Sequence, residues 1–291
     1  MFVLAHLSDP HLAPLPRPRP AELLSKRGLG YLNWLRKRRG IHRAEVLAAL
    51  VADLKGQTPD HIAVTGDLVN LSLSNEFAPA LRWLGGLGNP RDVTVVPGNH
   101  DGYVRSAGTF AEHHWGDLMR GDIGEGFPFV RRRGALALIG LSTSLPTPPL
   151  AATGRLHGDQ LERLGEILAK LKSEHAFRAV LIHHPPTEGA HHFRRLTNAG
   201  ALRDVLHRHG AELVLHGHHH ESSLHWLPGP QLRVPVIGVP SASGAAGRHD
   251  ESAGYNLYEI EGAWGAWRCT MVSRGLRDGG FAEINRQSLY A

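Results

Sequence analysis

Residues 93–101 read VTVVPGNHD, and this stretch joins a short apolar run to a group of polar side chains. The run is rich in β-branched residues and ends at Pro97, which is typical of a buried strand. Asn99, His100 and Asp101 follow it directly. Because ligands of open α/β sheets bind at the carboxyl ends of strands, the stretch predicts both a strand and part of a functional site.

The same arrangement recurs four more times along the chain, each time with polar residues after an apolar run. The runs and their blocks are Phe2–Leu7 before SDPH (8–11), His61–Thr65 before GDLVN (66–70), Ala179–His183 ending in HHPP (183–186), and Glu212–His216 before GHHH (217–220). Five predicted strands therefore deliver Asp, His or Asn to one edge of a sheet. Carboxylate, imidazole and amide ligands suit Mn, Fe or Zn rather than a soft-metal thiolate site.

Spacing within the blocks suggests which side chains act together. Asp9 and His11 stand two residues apart, as do His218 and His220. On an extended backbone, side chains at this spacing point the same way, so we expect each pair to reach one ion. Glycines at the turns are expected to let the backbone pass close to the ions. These glycines are Gly66, Gly98 and Gly217.

Other histidines near the blocks are given simpler roles. We expect His184 and His219 to point away from the ions and to form hydrogen bonds or pack in the core. His216 is interpreted as the last residue of a strand. We interpret residues 191–195 as a solvated loop, although an arginine there could clamp a phosphate.

Composition sets limits on the class of protein. The chain has 291 residues, 21 histidines, a formal net charge of +5 and a single cysteine, Cys269. The length suits one large α/β domain, so we predict a single domain over 1–291. One cysteine excludes a disulfide within the monomer and a thiolate cluster, and we expect Cys269 to be a small buried hydrophobe. The basic balance suggests anionic partners.

The remaining pattern predicts a layered α/β sandwich. Apolar residues at helical spacing indicate helices over 46–54, 161–171 and 199–209, the second with Asp159 as its N-cap. Four further strands are predicted, and the last strands follow one another without helices. These four are Ala135–Leu141, Val234–Val239, Tyr255–Ile260 and Ala266–Val272.

A basic insertion at about 17–43 interrupts the pattern. Pro14–Pro20 contains four prolines and is expected to be extended. Residues 21–39 then mix leucines, Tyr31 and Trp34 with basic side chains. Three interpretations stay open: a helical flap whose leucines pack on the domain, an amphipathic helix for a membrane surface or acyl chain, and a dimerisation arm. In each, the position after His11 predicts proximity to the metals.

Taken in order, the blocks DxH, GD, GNHD, H and GHxH resemble the signature of the calcineurin-like metallophosphoesterases. The resemblance covers residues 9–220, with a core extending to about 260. It implies a four-layer α/β/β/α sandwich with two packed mixed sheets. The HHPP form at 183–186 and GYNLYEI at 254–260 are most similar to the class III cyclic-nucleotide and glycerophosphodiester phosphodiesterases.

The resemblance also implies roles for individual residues around two transition-metal ions (Mn, Fe or Zn). The first ion would be held by Asp9, His11, Asp67 and His220, and the second by Asp67, Asn99, His183 and His218. Asp67 would bridge the ions, and a bridging hydroxide would attack phosphorus. His100 would lie just outside, near the leaving-group oxygen, as a source of a proton or positive charge. Asp101 would either orient His100 or stay behind the ligands.

The resulting expectation is a metal-dependent phosphodiesterase acting on a small phosphorylated substrate. One alternative, motivated by residues 21–39, is hydrolysis of a lipid-linked pyrophosphate or phosphate at a membrane surface, as in UDP-diacylglucosamine pyrophosphatases. Another is a non-catalytic interaction module. A nuclease would use similar ligands, but the basic charge is not laid out along a path that could follow a nucleic-acid duplex, so nucleic acid is not an expected partner.

No apolar run approaches the roughly 18 residues of a membrane span. We therefore expect a cytoplasmic protein, with peripheral contact at the inner face of the membrane through residues 21–39.

Overall fold

A computed structural model describes residues 1–122, 126–189, 191–245, 251–277 and 279–290. Within these ranges the strands form two six-stranded sheets. The strands are β1 Phe2–Leu7, β2 His61–Val64, β3 Val93–Val95, β4 Phe129–Arg133, β5 Leu136–Gly140, β6 Phe177–Leu181, β7 Leu213–His216, β8 Ser223–Leu227, β9 Val234–Gly238, β10 Gly254–Glu261, β11 Arg268–Arg277 and β12 Gly280–Tyr290.

Both sheets are mixed, with a parallel block in each. The first has the order β12-β11-β10-β1-β2-β3, in which β1, β2 and β3 are parallel. The second has the order β4-β5-β6-β7-β9-β8, in which β5, β6, β7 and β9 are parallel. Antiparallel strands complete each sheet. The predicted blocks therefore follow strands of the parallel parts, where successive carboxyl ends share an edge.

Helices cover the outer faces of the two sheets. The α-helices are α1 Arg27–Asn33, α2 Arg39–Ile41, α3 Ala44–Gly56, α4 Phe77–Leu87, α5 Arg105–Trp115, α6 Gly158–Ser173 and α7 Ala199–His209. Short 3₁₀ turns occupy Pro20–Leu24 and Gly116–Leu118, and a π-helical turn occupies Trp34–Arg38. The predicted helices at 46–54, 161–171 and 199–209 are confirmed as α3, α6 and α7.

Alternation along the strands of the second sheet explains the four layers. In β5, Leu136 and Leu138 belong to a core shared with strands of the first sheet. Ala137 and Ile139 instead belong to a second core, which includes Leu168 of α6. Successive residues of a strand face opposite sides, so both faces of this sheet are buried. The predicted α/β/β/α sandwich with two packed mixed sheets is confirmed.

Several elements were not predicted, and all three of the missed strands lie at sheet edges. These elements are β4, β8, β12, α4 and α5. The strand β4 ends in three arginines, β8 is only partly buried, and β12 is mostly exposed. An edge strand with a solvent-facing side lacks the continuous apolar run by which a central strand is recognised.

The N-cap prediction for α6 was wrong by two residues. His157 occupies the N-cap position without a side-chain capping bond, and Asp159 lies in the first turn. An acidic side chain there still interacts favourably with the positive end of the helix dipole. Asp159 therefore correctly indicated that a helix starts nearby, but not the residue at which it begins.

The insertion is docked on the domain, but not through its leucines. Pro20 begins a 3₁₀ turn after an extended segment, as expected from the prolines. The Arg27 guanidinium donates to the carbonyls of Leu71 and Ser72. A Cβ at Gly30 would strike the Leu71 side chain. The insertion therefore packs on the domain, as the flap interpretation expects, but four of its five leucines between residues 21 and 39 do not.

Four leucines of the insertion face solvent instead. They are Leu24 (91% exposed), Leu29 (55%), Leu32 (42%) and Leu35 (45%). The membrane and dimer interpretations stay predictions. Among the described residues, no helix combines the length and the apolar character needed to cross a bilayer.

Replacing Leu168 by alanine tests the role of the second core. The side chain is fully buried on α6, so we expect the free energy of unfolding to fall by about 2–5 kcal/mol, the usual cost of a core cavity. Leu81→Ala on α4 is the matched control, since Leu81 is 40% exposed and should cost less than half as much. Denaturant unfolding measures both, and equal losses would contradict the assigned layers.

Candidate metal centre

The predicted blocks meet where the carboxyl ends of the two sheets are joined. Ser8, just after β1, forms a parallel bridge with Ser241, which follows β9. The Ser241 hydroxyl donates to the Asp9 carbonyl over 2.7 Å. Nearby, His183 Nδ1 lies 2.6 Å from the Thr65 carbonyl, which links the end of β6 to the end of β2. The site is therefore built from both sheets at once.

The backbone that presents the predicted ligands is left-handed rather than extended. Five non-glycine residues of the site have positive φ: Asp9 (53°), His11 (38°), Asp67 (54°), His218 (72°) and His220 (59°). The predicted extended backbone at these positions was therefore wrong, although the side chains do converge. Such conformations cost about 1 kcal/mol or more per residue and persist only where the surroundings enforce them.

Glycines make room for this tight backbone, as predicted. Gly66 has φ of +96°, and a Cβ there would strike the backbone of Gly98. A Cβ at Gly98 would strike the Asp67 carboxylate, and one at Gly217 would strike the side chain of Ser8. Substituting any of these glycines would displace backbone or side chains at the centre of the site.

The residues predicted for the first ion form one compact group. His220 Nε2 lies 3.1 Å from Asp9 Oδ1 and 3.3 Å from His11 Nε2. His11 Nε2 lies 3.9 Å from Asp9 Oδ1 and 3.8 Å from Asp67 Oδ2. Ligands at about 2.0–2.2 Å from an ion stand roughly 3–3.6 Å apart, so the separations are close to those of a single coordination sphere.

Asp67 also reaches the residues predicted for the second ion. Its Oδ2 lies 3.4 Å from His183 Nε2, which in turn lies 3.2 Å from Asn99 Oδ1. His183 Nδ1 faces the Thr65 carbonyl and so donates its N–H there. This leaves Nε2 as the nitrogen that faces Asp67 and Asn99 and that would bind an ion in place of a proton, which is the usual orientation of a metal-binding histidine.

His218 and His184 lie close together but differ in what their ring nitrogens can do. His218 Nε2 lies 2.7 Å from the Arg194 carbonyl, which leaves Nδ1 free to act as a ligand, and its ring is 5.1 Å from that of His183. Both nitrogens of His184 are engaged, by a threonine hydroxyl at 2.7 Å and a backbone carbonyl at 3.1 Å. The expected hydrogen-bonding role of His184 is confirmed.

The site therefore fits metal binding by its geometry and donor chemistry. Potential ligand atoms form three groups, and within each group all the atoms lie within 4.8 Å of one another. Together the groups contain most of the predicted ligands. The groups are Asp9, His11 and Asp67; His11, His42 and His220; and His183, His184 and His218. Nitrogen and carboxylate oxygen donors of this kind suit Mn, Fe and Zn alike.

Electrostatics keep the two carboxylates ionised in spite of burial. Burial opposes ionisation, but His220 lowers the pKa of Asp9, and His183 lowers that of Asp67. Burial would also lower the pKa of His183, but the Asp67 carboxylate outweighs it and raises that pKa to about 9. Buried negative charge next to imidazole nitrogens is the environment that a cation would stabilise.

Asp101 organises the loops rather than His100. Its carboxylate accepts backbone N–H groups of Asp67 and Gly98, each at 2.8 Å, and those of Leu68 at 2.9 Å and Val69 at 3.2 Å. Burial and the neighbouring Asp67 raise the pKa of Asp101 to about 7. Of the two roles left open by the sequence, the structure favours the one behind the ligands.

His100 lies beside the first group and turns one nitrogen towards it. Its backbone N–H donates to Asp67 Oδ1 over 2.7 Å, and its Nδ1 bonds the Asn70 carbonyl. Its ring centroid is 5.0 Å from that of His11. Burial and the charge of Arg38 lower the pKa of His100 to about 3, so Nε2 accepts a hydrogen bond.

Two residues at the site were missed by sequence reasoning, and both belong to the insertion. Arg38 places Nη1 2.8 Å from His100 Nε2 and Nη2 2.9 Å from His11 Nε2. His42 is buried, with its ring 4.3 Å from that of His11 and its Nδ1 2.9 Å from Ser243 Oγ. Neither belongs to a motif, and no local signal distinguishes Arg38 from the basic residues beside it.

The simpler predictions near the site are mostly confirmed. His216 is the last residue of β7. Residues 191–195 are exposed, and the loop contributes the Arg194 carbonyl to the site. Cys269 is buried, and burial raises the pKa of its thiol to about 12, as suits a small hydrophobe.

The two sheets and their cluster of Asp and His ligands define a metallophosphoesterase. A family model described as calcineurin-like phosphoesterase matches residues 2–222. The chain therefore belongs to the calcineurin-like phosphoesterase family, a family of phosphoester hydrolases, as the ordered blocks predicted.

The individual relatives share only a small part of their sequence with this chain. A probable cyclic nucleotide phosphodiesterase of Synechococcus sp. is 26% identical over 230 residues, which cover 76% of this chain and 79% of that protein. A dimetal phosphatase from Danio rerio matches with a TM-score of 0.65 and 13% identity over 98% of both chains. The purple acid phosphatase PPD1 of yellow lupin matches with a TM-score of 0.59 and 12% identity, over 99% of this chain and 53% of the phosphatase chain. The two structural likenesses show the fold alone.

Removing the Asp101 carboxylate tests its role as an organiser of the loops. Asp101→Ala leaves four backbone N–H groups without their acceptor, so we expect the free energy of unfolding to fall by about 3 kcal/mol or more. Metal content, measured by plasma emission after loading with Mn, should fall as well. Asp117→Ala, which removes an exposed carboxylate, is the control and should change neither quantity appreciably. An Asp101→Ala protein with unchanged stability would contradict this assignment.

Proposed function

We propose that the chain hydrolyses phosphodiesters in a site that holds two transition-metal ions. One observation carries the proposal: Asp67 Oδ2 lies 3.8 Å from His11 Nε2 and 3.4 Å from His183 Nε2. A single carboxylate thus reaches both groups of predicted ligands, which is what a bridging ligand requires. Family membership independently supports phosphoester hydrolysis.

The residues that would hold the ions are those described above. Asp9, His11 and His220 would hold one ion and Asn99, His183 and His218 the other, with Asp67 shared by both. When bound, two such ions neutralise phosphoryl oxygens and lower the pKa of bound water. Carbonyl partners of His11, His183 and His218 fix which of their nitrogens would face an ion, so these side chains are oriented before binding.

His100 is the residue we assign to the leaving group. Its Nδ1 is held by the Asn70 carbonyl, so its Nε2 is aimed at the space beside His11. In the structure, burial and Arg38 lower the pKa of His100. The negative charge of a bound phosphoryl group would act in the opposite direction and favour the protonated ring, which can then donate to the leaving oxygen.

A diester is preferred over a monoester on two grounds. The relative from Synechococcus is described as a probable cyclic nucleotide phosphodiesterase. The HHPP block and the segment 254–260 are similar to those of the class III phosphodiesterase branch. Protein purified without chelator and supplied with Mn should hydrolyse a small nitrophenyl phosphodiester. The absence of both metal and turnover would instead support a non-catalytic interaction module.

Two alanine variants separate metal binding from leaving-group chemistry. We expect Asp67→Ala to lose metal from both positions and essentially all turnover, because it removes the shared carboxylate. We expect His100→Ala to keep its metal content while turnover falls by about 10²–10⁴-fold, the usual contribution of a general acid. Plasma emission measures metal and a nitrophenyl diester assay measures turnover.

His113→Ala is the control for that pair, since this histidine is exposed on α5, and it should behave as the unsubstituted protein. Full activity in either site variant would refute the role assigned to that residue.

A second candidate function is hydrolysis of a lipid-linked pyrophosphate or phosphate at a membrane surface. The observation that favours it is the row of exposed leucines on the insertion, accompanied by exposed basic residues. The leucines are Leu24, Leu29, Leu32 and Leu35, and the basic residues are Arg36, Lys37 and Arg39. Apolar side chains beside positive charge suit the boundary of an anionic bilayer.

Substituting three of these leucines tests the lipid candidate better than deleting the insertion, because a deletion would also remove Arg38 from the site. In Leu29→Ser/Leu32→Ser/Leu35→Ser, binding to anionic vesicles should fall at least about tenfold, since burying each leucine contributes roughly 1–3 kcal/mol. Hydrolysis of an acylated pyrophosphate should fall in parallel, while a small nitrophenyl diester should be hydrolysed as before.

Leu81→Ser is the control, because it removes an exposed leucine of α4, outside the insertion. An equal loss of activity on both substrates would reject the lipid candidate.

A further inference from the structure

Arg38 is singled out from a run of four basic residues by the local backbone. Arg36, Lys37 and Arg39 are exposed, whereas the Arg38 side chain turns into the site. The run lies on the π-helical turn Trp34–Arg38, closed by a bond from the Arg39 N–H to the Trp34 carbonyl. Trp34 is only 9% exposed and anchors this turn. Irregular turns of this type often present a side chain for function.

The guanidinium of Arg38 bridges the two sides of the site mouth. Nη1 donates to His100 Nε2 over 2.8 Å, and Nη2 donates to His11 Nε2 over 2.9 Å. His11 Nε2 is the nitrogen that faces Asp9, Asp67 and His220 and would bind the first ion. With that lone pair committed to an ion, the Nη2–H group needs a different acceptor in the same place.

The charge of Arg38 points to an anionic acceptor. Within the described part of the chain, Arg38 takes part in no ion pair, and the carboxylates that influence its charge, Asp67 and Asp9, are paired with histidines. Burial lowers the pKa of Arg38, while Asp67 and Asp9 act to raise it. An arginine stays charged in proteins, and a half-buried guanidinium without an anionic partner is incompletely compensated. Ions in the site would compete for the same carboxylates.

The insertion holds Arg38 in place before any ligand arrives. On one side, Lys26 Nζ donates to the Thr147 carbonyl over 2.9 Å. On the other, the Arg43 N–H donates to the Ser243 carbonyl over 2.9 Å. A donor fixed at both ends of its segment loses little conformational freedom on binding, so its hydrogen bonds contribute more to affinity.

We propose that Arg38 is a substrate-binding residue, whose two Nη groups donate to the non-bridging oxygens of the phosphoryl group. The inference rests on the proposed phosphoesterase function and adds to it a phosphate-binding residue from the insertion. The forked N–H groups match the geometry of phosphate oxygens. The arginines of the 191–195 loop, considered for this role from the sequence, are exposed instead.

The test uses Mn-loaded full-length protein and inorganic phosphate as the probe, titrated by calorimetry. Arg38→Ala should weaken phosphate binding by about 10–100-fold, the range for hydrogen bonds to charged groups, with Mn content unchanged. Arg38→Lys should recover part of the affinity, because lysine keeps the charge but not the fork. Arg36→Ala removes the same charge from an exposed neighbour and should bind phosphate as the unsubstituted protein does.

Three outcomes would show that Arg38 does not bind the phosphoryl group. Unchanged phosphate affinity in Arg38→Ala, with normal Mn content, overturns the proposal. So does a loss of Mn from Arg38→Ala and Arg38→Lys alike, since Arg38 would then support the ligands rather than the substrate. If the alanine variant does not fold, as judged by thermal unfolding, Arg38→Lys carries the comparison, and an affinity equal to that of the unsubstituted protein overturns the proposal.

A turnover assay on the same samples keeps the two proposals apart. Arg38-dependent phosphate binding in a protein without phosphodiesterase turnover would reject the proposed function and leave the phosphate site standing. Normal turnover with Arg38-independent phosphate binding would reject the phosphate site alone.

Discussion

The carboxylate of Asp67 is the constraint on which the rest of the site depends. Its Oδ2 faces His11 on one side and His183 on the other, while its Oδ1 accepts the backbone N–H of His100. Its own N–H is held by Asp101. Because these contacts come from loops of both sheets, the sheets must be packed in one register before the carboxylate can reach both groups. A buried carboxylate in turn favours cations around it.

The layered core provides the rigidity that this arrangement needs. Left-handed backbone at five of the predicted ligand positions is unfavourable for residues with side chains, and exposed loops would relax from it. Here the strands that precede these residues are buried, and glycines at 66, 98 and 217 remove the clashes that close packing would create. The apolar interior therefore stabilises a strained edge, and the site gains ligands that are oriented before an ion or substrate binds.

The insertion adds to the candidate metal centre two side chains that lie outside the five sequence blocks. It contributes Arg38 and His42 to the site from one side and presents exposed leucines to solvent on the other. The proposed metal ligands would account for cleavage of a phosphoester, but they do not distinguish one phosphoester from another. Side chains around the mouth are where discrimination between substrates has to arise, because they contact what lies beyond the phosphorus.

The sequence by itself determined the central strands and the order of the polar blocks, because apolar runs and the residues following them are local properties. It also placed α3, α6 and α7, whose apolar faces recur with the helical period. Edge strands such as β12 could not be predicted from the sequence, since they lack a continuous apolar run. Only the tertiary structure decided that the ligand backbone is left-handed, that Asp101 serves the loops, and that Arg38 alone of its run faces the site. Each of these depends on contacts between residues far apart in the chain, which no spacing along the sequence encodes.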